Sequence, residues 1–285
     1  MKSETNKIFL ISAKEKYDVE FLKMKQIIKS NNVKVSILCF NKYLEEYVKG
    51  IGEYKVIGQF HSACDSHNLY LCDGILFVQP FLGGPNAAGI MEELAALGIE
   101  YFIAVGSACK ADKLFDSSKL LIASSAVRGD GCGYYYLPKR KKAQTNEEVN
   151  GIMVKTFSDL QIEYEFGNVF TTDAYYRESI KLIDKMVKKG VKALDMECST
   201  WCLVAEALNV KFGQFFYFSD FKIDNTWGKI TFNEKLKKQM HVTKIAHTIA
   251  KNIINLSWML ILTQQKPATK NAHSKSLWAF LVFNH

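Results

Sequence analysis

The stretch Gly83–Ser107, GGPNAAGIMEELAALGIEYFIAVGS, decides the fold. Pro85 stands where a helix would begin and Gly98 just past where it would end, the asymmetry that helix termini favour. Between them Ile90, Met91, Leu94 and Leu97 fall on one face, so the spacing predicts a helix over Asn86–Leu97. Tyr101–Val105 follows as an unbroken apolar run, the pattern of a strand buried on both sides. It leads into Gly106-Ser107, read as a turn at the strand end. A helix feeding directly into a doubly buried strand is the repeating unit of an α/β fold.

The same alternation extends outward. Lys7–Ser12, Val33–Phe40 and Gly74–Pro80 read as strands upstream, with a helix over Tyr17–Ser30. Downstream, Lys119–Val127, Tyr164–Thr171, Lys192–Leu194 and Lys211–Phe218 read as strands. Helical periodicity covers Glu147–Leu160, Tyr176–Lys189, Met196–Leu208 and a long C-terminal Phe232–Leu256. The expectation is a single α/β domain with a central mixed, mostly parallel sheet flanked by helices. It covers residues 1–256. Residues 257–285 read as a disordered or non-native tail, polar from Thr263 and apolar over Leu277–Phe283, with no chemistry placed on it.

Composition narrows the classes. Of 285 residues, 48% are hydrophobic and 23% charged, which excludes a wholly disordered chain. The net charge of +8 is a mild excess, and its densest run, Pro138–Lys142, reads as a solvated loop rather than a nucleic-acid surface. Seven cysteines with no Cys-x-x-Cys pair, and no signal peptide over Met1–Thr5, point to reduced thiols and a cytoplasmic setting. No histidines fall at ligand spacing near them, so no metal is expected. No apolar run approaches the roughly 20 residues a membrane helix needs.

Ligands of α/β sheets bind beyond the carboxyl ends of the strands. Polar or glycine-rich segments occupy such ends at Gly83–Asn86, Gly106–Ala108, Thr171–Ala174 and Ser219-Asp220, while Asp195-Met196-Glu197 opens a helix. Each has a local explanation. Ser107 could cap a backbone donor, Asp173 could be an N-cap, Asp195 and Glu197 first-turn acids, and Asp220 a turn residue. Spread in this order over one sheet, they make a pocket.

The set also resembles a family. Pro85-Asn86-Ala87-Ala88 with Glu92-Glu93-Leu94, followed by Val105-Gly106-Ser107-Ala108, is similar to the core of the nucleoside phosphorylase and nucleosidase superfamily. Arg128–Gly131 with Tyr134–Pro138, Thr171–Glu178, Asp195–Cys198 and Phe218–Asp220 agree with it, so the resemblance spans roughly residues 7–255. It implies a three-layer fold and cleavage of the N-glycosidic bond of nucleosides, leaning to purines because of the Ser-Asp pair. It implies no cofactor beyond inorganic phosphate as co-substrate, and a homo-oligomer: a dimer, trimer or hexamer whose neighbour completes the pocket, with His61 or His67 as candidate donated groups.

By position, the resemblance gives Glu197 the ribose hydroxyls, since a carboxylate accepts two donors at once. Met196 packs beneath the sugar, Tyr175 lies against the base, and Tyr176 offers it backbone groups. Asp220, positioned with Ser219, protonates or hydrogen-bonds purine N7, which demands a proton held near neutral pH. Gly106 and Ser107 contact phosphate. The family's phosphate arginines are replaced: one position is Ala104, and the loop after the first strand reads Ser12-Ala13-Lys14-Glu15-Lys16, leaving Lys14 or Lys16 as the candidate point charges. Two alternatives therefore stand beside phosphorolysis: hydrolysis by water, although Tyr17 falls where the hydrolases carry their glutamate, and a catalytically reduced nucleoside-binding protein.

Overall fold

In the computed structural model, residue 13 and residues 18–223 and 226–264 are described. The elements run α1 (Val19–Ser30), β1 (Val35–Cys39), α2 (Leu44–Ile51), β2 (Tyr54–His61), β3 (Ser66–Cys72), β4 (Ile75–Val78), α3 (Gly84–Leu97), β5 (Tyr101–Lys110) and β6 (Leu120–Gly129). They continue with α4 (Gly133–Tyr136), β7 (Ala143–Gln144), α5 (Glu147–Asp159), β8 (Tyr164–Thr172), α6 (Ile180–Val187), β9 (Val191–Asp195), α7 (Cys198–Leu208), β10 (Lys211–Ile223), β11 (Thr226–Lys229) and α8 (Phe232–Gln264). The expected strand over Lys7–Ser12 lies outside the described residues, as does the tail from residue 265. The last helix runs past the expected end at Leu256 to Gln264.

Eleven strands among the described residues form one sheet in the order β11-β10-β6-β8-β9-β5-β1-β4-β3-β2, with β7 on β6. The sheet is mixed. Its central ladders β4-β1-β5-β10 and β6-β8-β9 are parallel. Antiparallel pairing joins β10 to β6 and β5 to β9. Because β10 also pairs with β5, the strands β5, β10, β6, β8 and β9 close into a ring.

Helices cover both faces, giving three layers. One core cluster gathers Phe21, Met24 and Ile28 of α1, Ile90, Met91 and Leu94 of α3, and Trp201 and Leu203 of α7. The other gathers Leu44 and Val48 of α2, Met153 and Phe157 of α5, and Ile245, Ile249 and Ile253 of α8. Strand β5 divides between them: Phe102 and Ala104 enter the first, Ile103 and Val105 the second. This is why 101–105 reads as a continuous apolar run, with no polar face to show.

Two boundaries differ from the sequence reading. Strand β5 does not stop at Gly106-Ser107 but continues to Lys110, because β10 supports it along its whole length. The helix expected over Tyr176–Lys189 begins only at Ile180. Ser179 turns into extended backbone and its hydroxyl accepts the Leu182 N–H at 3.2 Å, while Tyr175–Arg177 form a single 3-10 turn. A side-chain oxygen that satisfies an orphan N–H defines a helix start better than periodicity does. Ser179→Ala is expected to cost about 1 kcal/mol, measured as a lowered urea midpoint with unchanged slope.

Candidate functional site

The site is built around the start of α7. Strand β9 ends at Asp195, whose carboxylate accepts the N–H groups of Glu197 and Cys198 at 3.1 and 2.7 Å and the Thr171 hydroxyl at 2.6 Å. It thus caps the first turn of the helix. Burial pushes the Asp195 carboxyl up to about 6, against the pull of those hydrogen bonds. With the turn fixed this way, the Glu197 carboxylate reaches across to accept the Gly83 N–H at 2.7 Å. Gly83 has φ 91°, a left-handed conformation that a glycine reaches without strain and that here aims its N–H at the acid. Glu197 is only 5% exposed. Burial first, and then the charge of Asp195, push its carboxyl up to about 8, while the Gly83 and Met196 N–H groups pull it back.

More acids line the same turn. Asp130 is buried and accepts the hydroxyls of Ser199 and Thr200 and the Gly133 N–H. Asp173 accepts the Gly131 N–H at 2.7 Å. The Ser199 and Thr200 bonds tie the loop after β6 to α7, and the Asp173 bond ties it to the end of β8. Sequence alone assigns Asp130 no role beyond its place in the Arg128–Gly131 motif. Its buried position beside two hydroxyls of α7 depends on a tertiary contact some 70 residues long.

Gly106 and Ser107 sit where the sheet changes partners. Strand β1 leaves β5 at the Cys39–Val105 pair, and β9 joins on that side only at Leu194–Cys109. Residues 106–108 keep β10 on the other side, with Tyr217 opposite Ser107. Such a gap between strands is the topological switch point at which α/β sheets place ligands, and the start of α7 lies directly beyond β9 on that side. The loop following β1, Phe40-Asn41-Lys42, reaches this gap, its Phe40 N–H bonding the Val105 carbonyl at 3.1 Å. The Phe40 ring lies 2.9 Å from where a Cβ on Gly106 would stand, so a side chain at 106 would have to push the ring aside. The ring also packs against Trp201, with centroids 5.9 Å apart. Ala104 is buried in the core. Lys14 and Lys16 lie outside the described residues.

The opposite wall is a β-bulge. The β5–β10 register slips between Phe218 and Asp220, a device that re-aims a side chain beside a site. Ser219 donates its hydroxyl to Asp220 Oδ1 at 2.7 Å, and the Trp227 indole N–H reaches Oδ2 at 3.0 Å. Cys109 pairs with Asp220 across the strands. Glu178, half-buried just before α6, is pushed up to about 7 by burial and then by the charge of Asp220. The sequence assigned nothing to Phe40, Trp227 or Glu178. Phe40 was hidden in an apolar run, and Glu178 was one acid in a polar stretch.

The rim is aromatic. Tyr175 and Tyr176 are exposed, with ring centroids 4.3 Å apart. Met196 is half-buried. The Arg128 guanidinium donates to the carbonyls of Leu137, Pro138 and Lys141 and stacks on Tyr134 at 4.1 Å, so it shapes the basic loop. His67 contacts the Gln79 carbonyl through Nδ1 at 2.7 Å and stacks on Phe81. No helix among the described residues is long and apolar enough to cross a membrane.

A family model described as the phosphorylase superfamily matches residues 60–255. The chain is 27% identical over 161 residues to a uridine phosphorylase of Thermococcus kodakarensis, covering 52% of this chain and 58% of that protein. It is 24% identical over 161 residues to a guanosine phosphorylase of Halorubrum lacusprofundi, covering 56% of this chain and 63% of that protein. The matched segments therefore span about three fifths of these relatives. The solved uridine phosphorylase of Vibrio fischeri shares the fold with a TM-score of 0.64 at 19% identity, covering 79% of this chain and 93% of that one.

Proposed function

The chain belongs to the phosphorylase superfamily, and from that premise we propose that it cleaves the N-glycosidic bond of purine nucleosides with inorganic phosphate, giving free base and ribose 1-phosphate, with no other cofactor. The observation that carries this reading is the placement of two acids in different environments on either side of the β5 gap. Glu197 is buried and held by a backbone N–H. Asp220 stands on the bulge with a hydroxyl and an indole N–H on its oxygens. Carboxylates set in contrasting environments are how one site divides binding from proton transfer. Glu197 takes the ribose hydroxyls, with Met196 beneath the sugar. Asp220, fixed by Ser219, meets N7. Tyr175 and Tyr176 face the base, and Gly106 with Ser107 meets the phosphate beside Lys14 or Lys16.

Leaving-group protonation suits this arrangement. As the C1′–N9 bond lengthens, its electron pair moves onto the purine, and a proton at N7 neutralises that charge. The sugar then resembles an oxocarbenium ion, which a nearby anion such as phosphate stabilises and captures.

Phe40 favours a second reading, hydrolysis. An apolar ring packed on Gly106 occupies the place where an anion would approach the strand backbone. The test is incubation with inosine, adenosine, uridine and methylthioadenosine, with and without phosphate, with base release measured by chromatography. Phosphorolysis predicts purine release that requires phosphate. Release independent of phosphate establishes hydrolysis, and retained nucleoside binding without release leaves a binding protein.

A further inference from the structure

We propose that Asp220 and Trp227 together read the base, so that the chain selects 6-oxopurine nucleosides over adenosine, with Trp227 as the specificity-determining residue. This rests on the reading of Asp220 as the acid at N7 and narrows the substrate of that same site.

The hairpin of β10 and β11 builds the pair. Asp220 stands opposite Lys229 in this antiparallel ladder, and Lys222 stands opposite Trp227. Trp227 is therefore the diagonal neighbour of Asp220 on one face of the ribbon, a separation that an aromatic side chain spans. It does so here: the indole N–H donates to Asp220 Oδ2 at 3.0 Å. Lys229, directly across from the acid, lies over the indole, its ammonium 4.7 Å from the ring centroid, which steadies the ring. Ser219 holds the other oxygen, Oδ1, at 2.7 Å. Trp227 is 62% exposed, so the ring stands at the surface where a base arrives. With the indole nitrogen 3.0 Å from the carboxyl, a base hydrogen-bonded to Asp220 meets Trp227 as well.

The edge of the base decides what fits. Beside the acceptor N7, a 6-oxopurine carries a second acceptor, its 6-oxygen, whereas adenine carries the N6 amino donor. An Asp220 that holds a proton toward N7 offers two donors side by side with Trp227: the acid O–H and the indole N–H. These match the two acceptors of a 6-oxopurine, and the indole N–H passes from Oδ2 to the 6-oxygen as the base seats. Adenine suits a free carboxyl, which donates to N7 from one oxygen and accepts the amino group at the other. Here Ser219 and Trp227 engage both oxygens. An indole N–H can only donate, so it faces the N6 amino group donor to donor. One of the two is left without an acceptor, a cost that falls on adenosine alone.

The test is kcat/KM for inosine, adenosine and purine riboside, which has N7 but no group at position 6, in the parent chain and in Trp227→Phe. Phenylalanine keeps an aromatic ring and removes the N–H. The parent is expected to prefer inosine to adenosine by roughly 10-fold or more, the discrimination of one good two-point contact. Trp227→Phe should lose roughly 10-fold on inosine, leave purine riboside unchanged and gain on adenosine, so that the preference collapses. Damage to the fold or to the shape of the site would instead lower all three substrates alike. Equal cleavage of inosine and adenosine by the parent, or an equal change on all three substrates in the variant, overturns base reading by Trp227 while leaving the assigned reaction standing. A parent chain that cleaves none of the three overturns the reaction itself, and the base selection with it.

Discussion

Asp220→Asn is expected to release base from inosine roughly 10²-fold or more slowly than the parent chain, the scale of a lost general acid. The substitution is clean because asparagine keeps both contacts. Its amide oxygen accepts the Trp227 indole N–H, which can only donate, and its NH₂ donates to the Ser219 hydroxyl, which can reverse its role. The fold should therefore hold its melting temperature while the proton route is lost. The loss should be far smaller for 7-methylguanosine, which leaves without N7 protonation. Full turnover of inosine by the variant would remove Asp220 from the reaction. Equal losses on both substrates would assign it to binding.

The central layer was legible because burial on both faces writes long apolar runs. Tyr101–Val105 and Lys211–Phe218 lie side by side in the sheet, and both were read as strands. The helix over α3 was legible from Pro85 and Gly98, which are local signals. The outer hairpin was not. Strands β2 and β3 carry mixed burial and polar side chains such as Gln59 and Asn68, so no run of period two stands out. At the site, the acids were visible as residues but not as a set of environments. Burial of Glu197 and the charge of Asp195 beside it are products of the way α7 begins. The contact of Phe40 with Gly106 joins residues far apart in the chain. Local chemistry at a strand end can be read from sequence, whereas the partner exchange along β5 that opens the gap cannot.

The second large effect concerns Glu197 and has a sign that separates function from stability. Its carboxyl is raised to about 8 in the fold, against roughly 4.3 in an unfolded chain. Below the unfolded value both states hold the proton, and the stability contributed by the neutral acid is fully present. As pH rises toward 8 the unfolded chain releases the proton while the folded chain still holds it, so that contribution is lost progressively. Glutamine cannot ionise. Whatever the substitution costs at the Gly83 N–H lowers stability by the same amount at every pH. The difference between two pH values cancels that offset. Between about pH 5 and pH 8, Glu197→Gln is expected to gain on the order of 3 kcal/mol relative to the parent, seen as a urea midpoint that climbs relative to the parent's as pH rises. The same variant should lose roughly 10²-fold or more in kcat/KM, because one carboxyl oxygen is replaced by an NH₂ group that can only donate and so leaves a ribose hydroxyl without its acceptor. A side chain whose replacement steadies the fold at alkaline pH and disables the reaction is retained for its chemistry. Parallel stability curves would mean that Glu197 is ionised in the folded state at neutral pH. Its bond to Gly83 would then be a charged anchor of the α3 loop rather than a site awaiting a sugar.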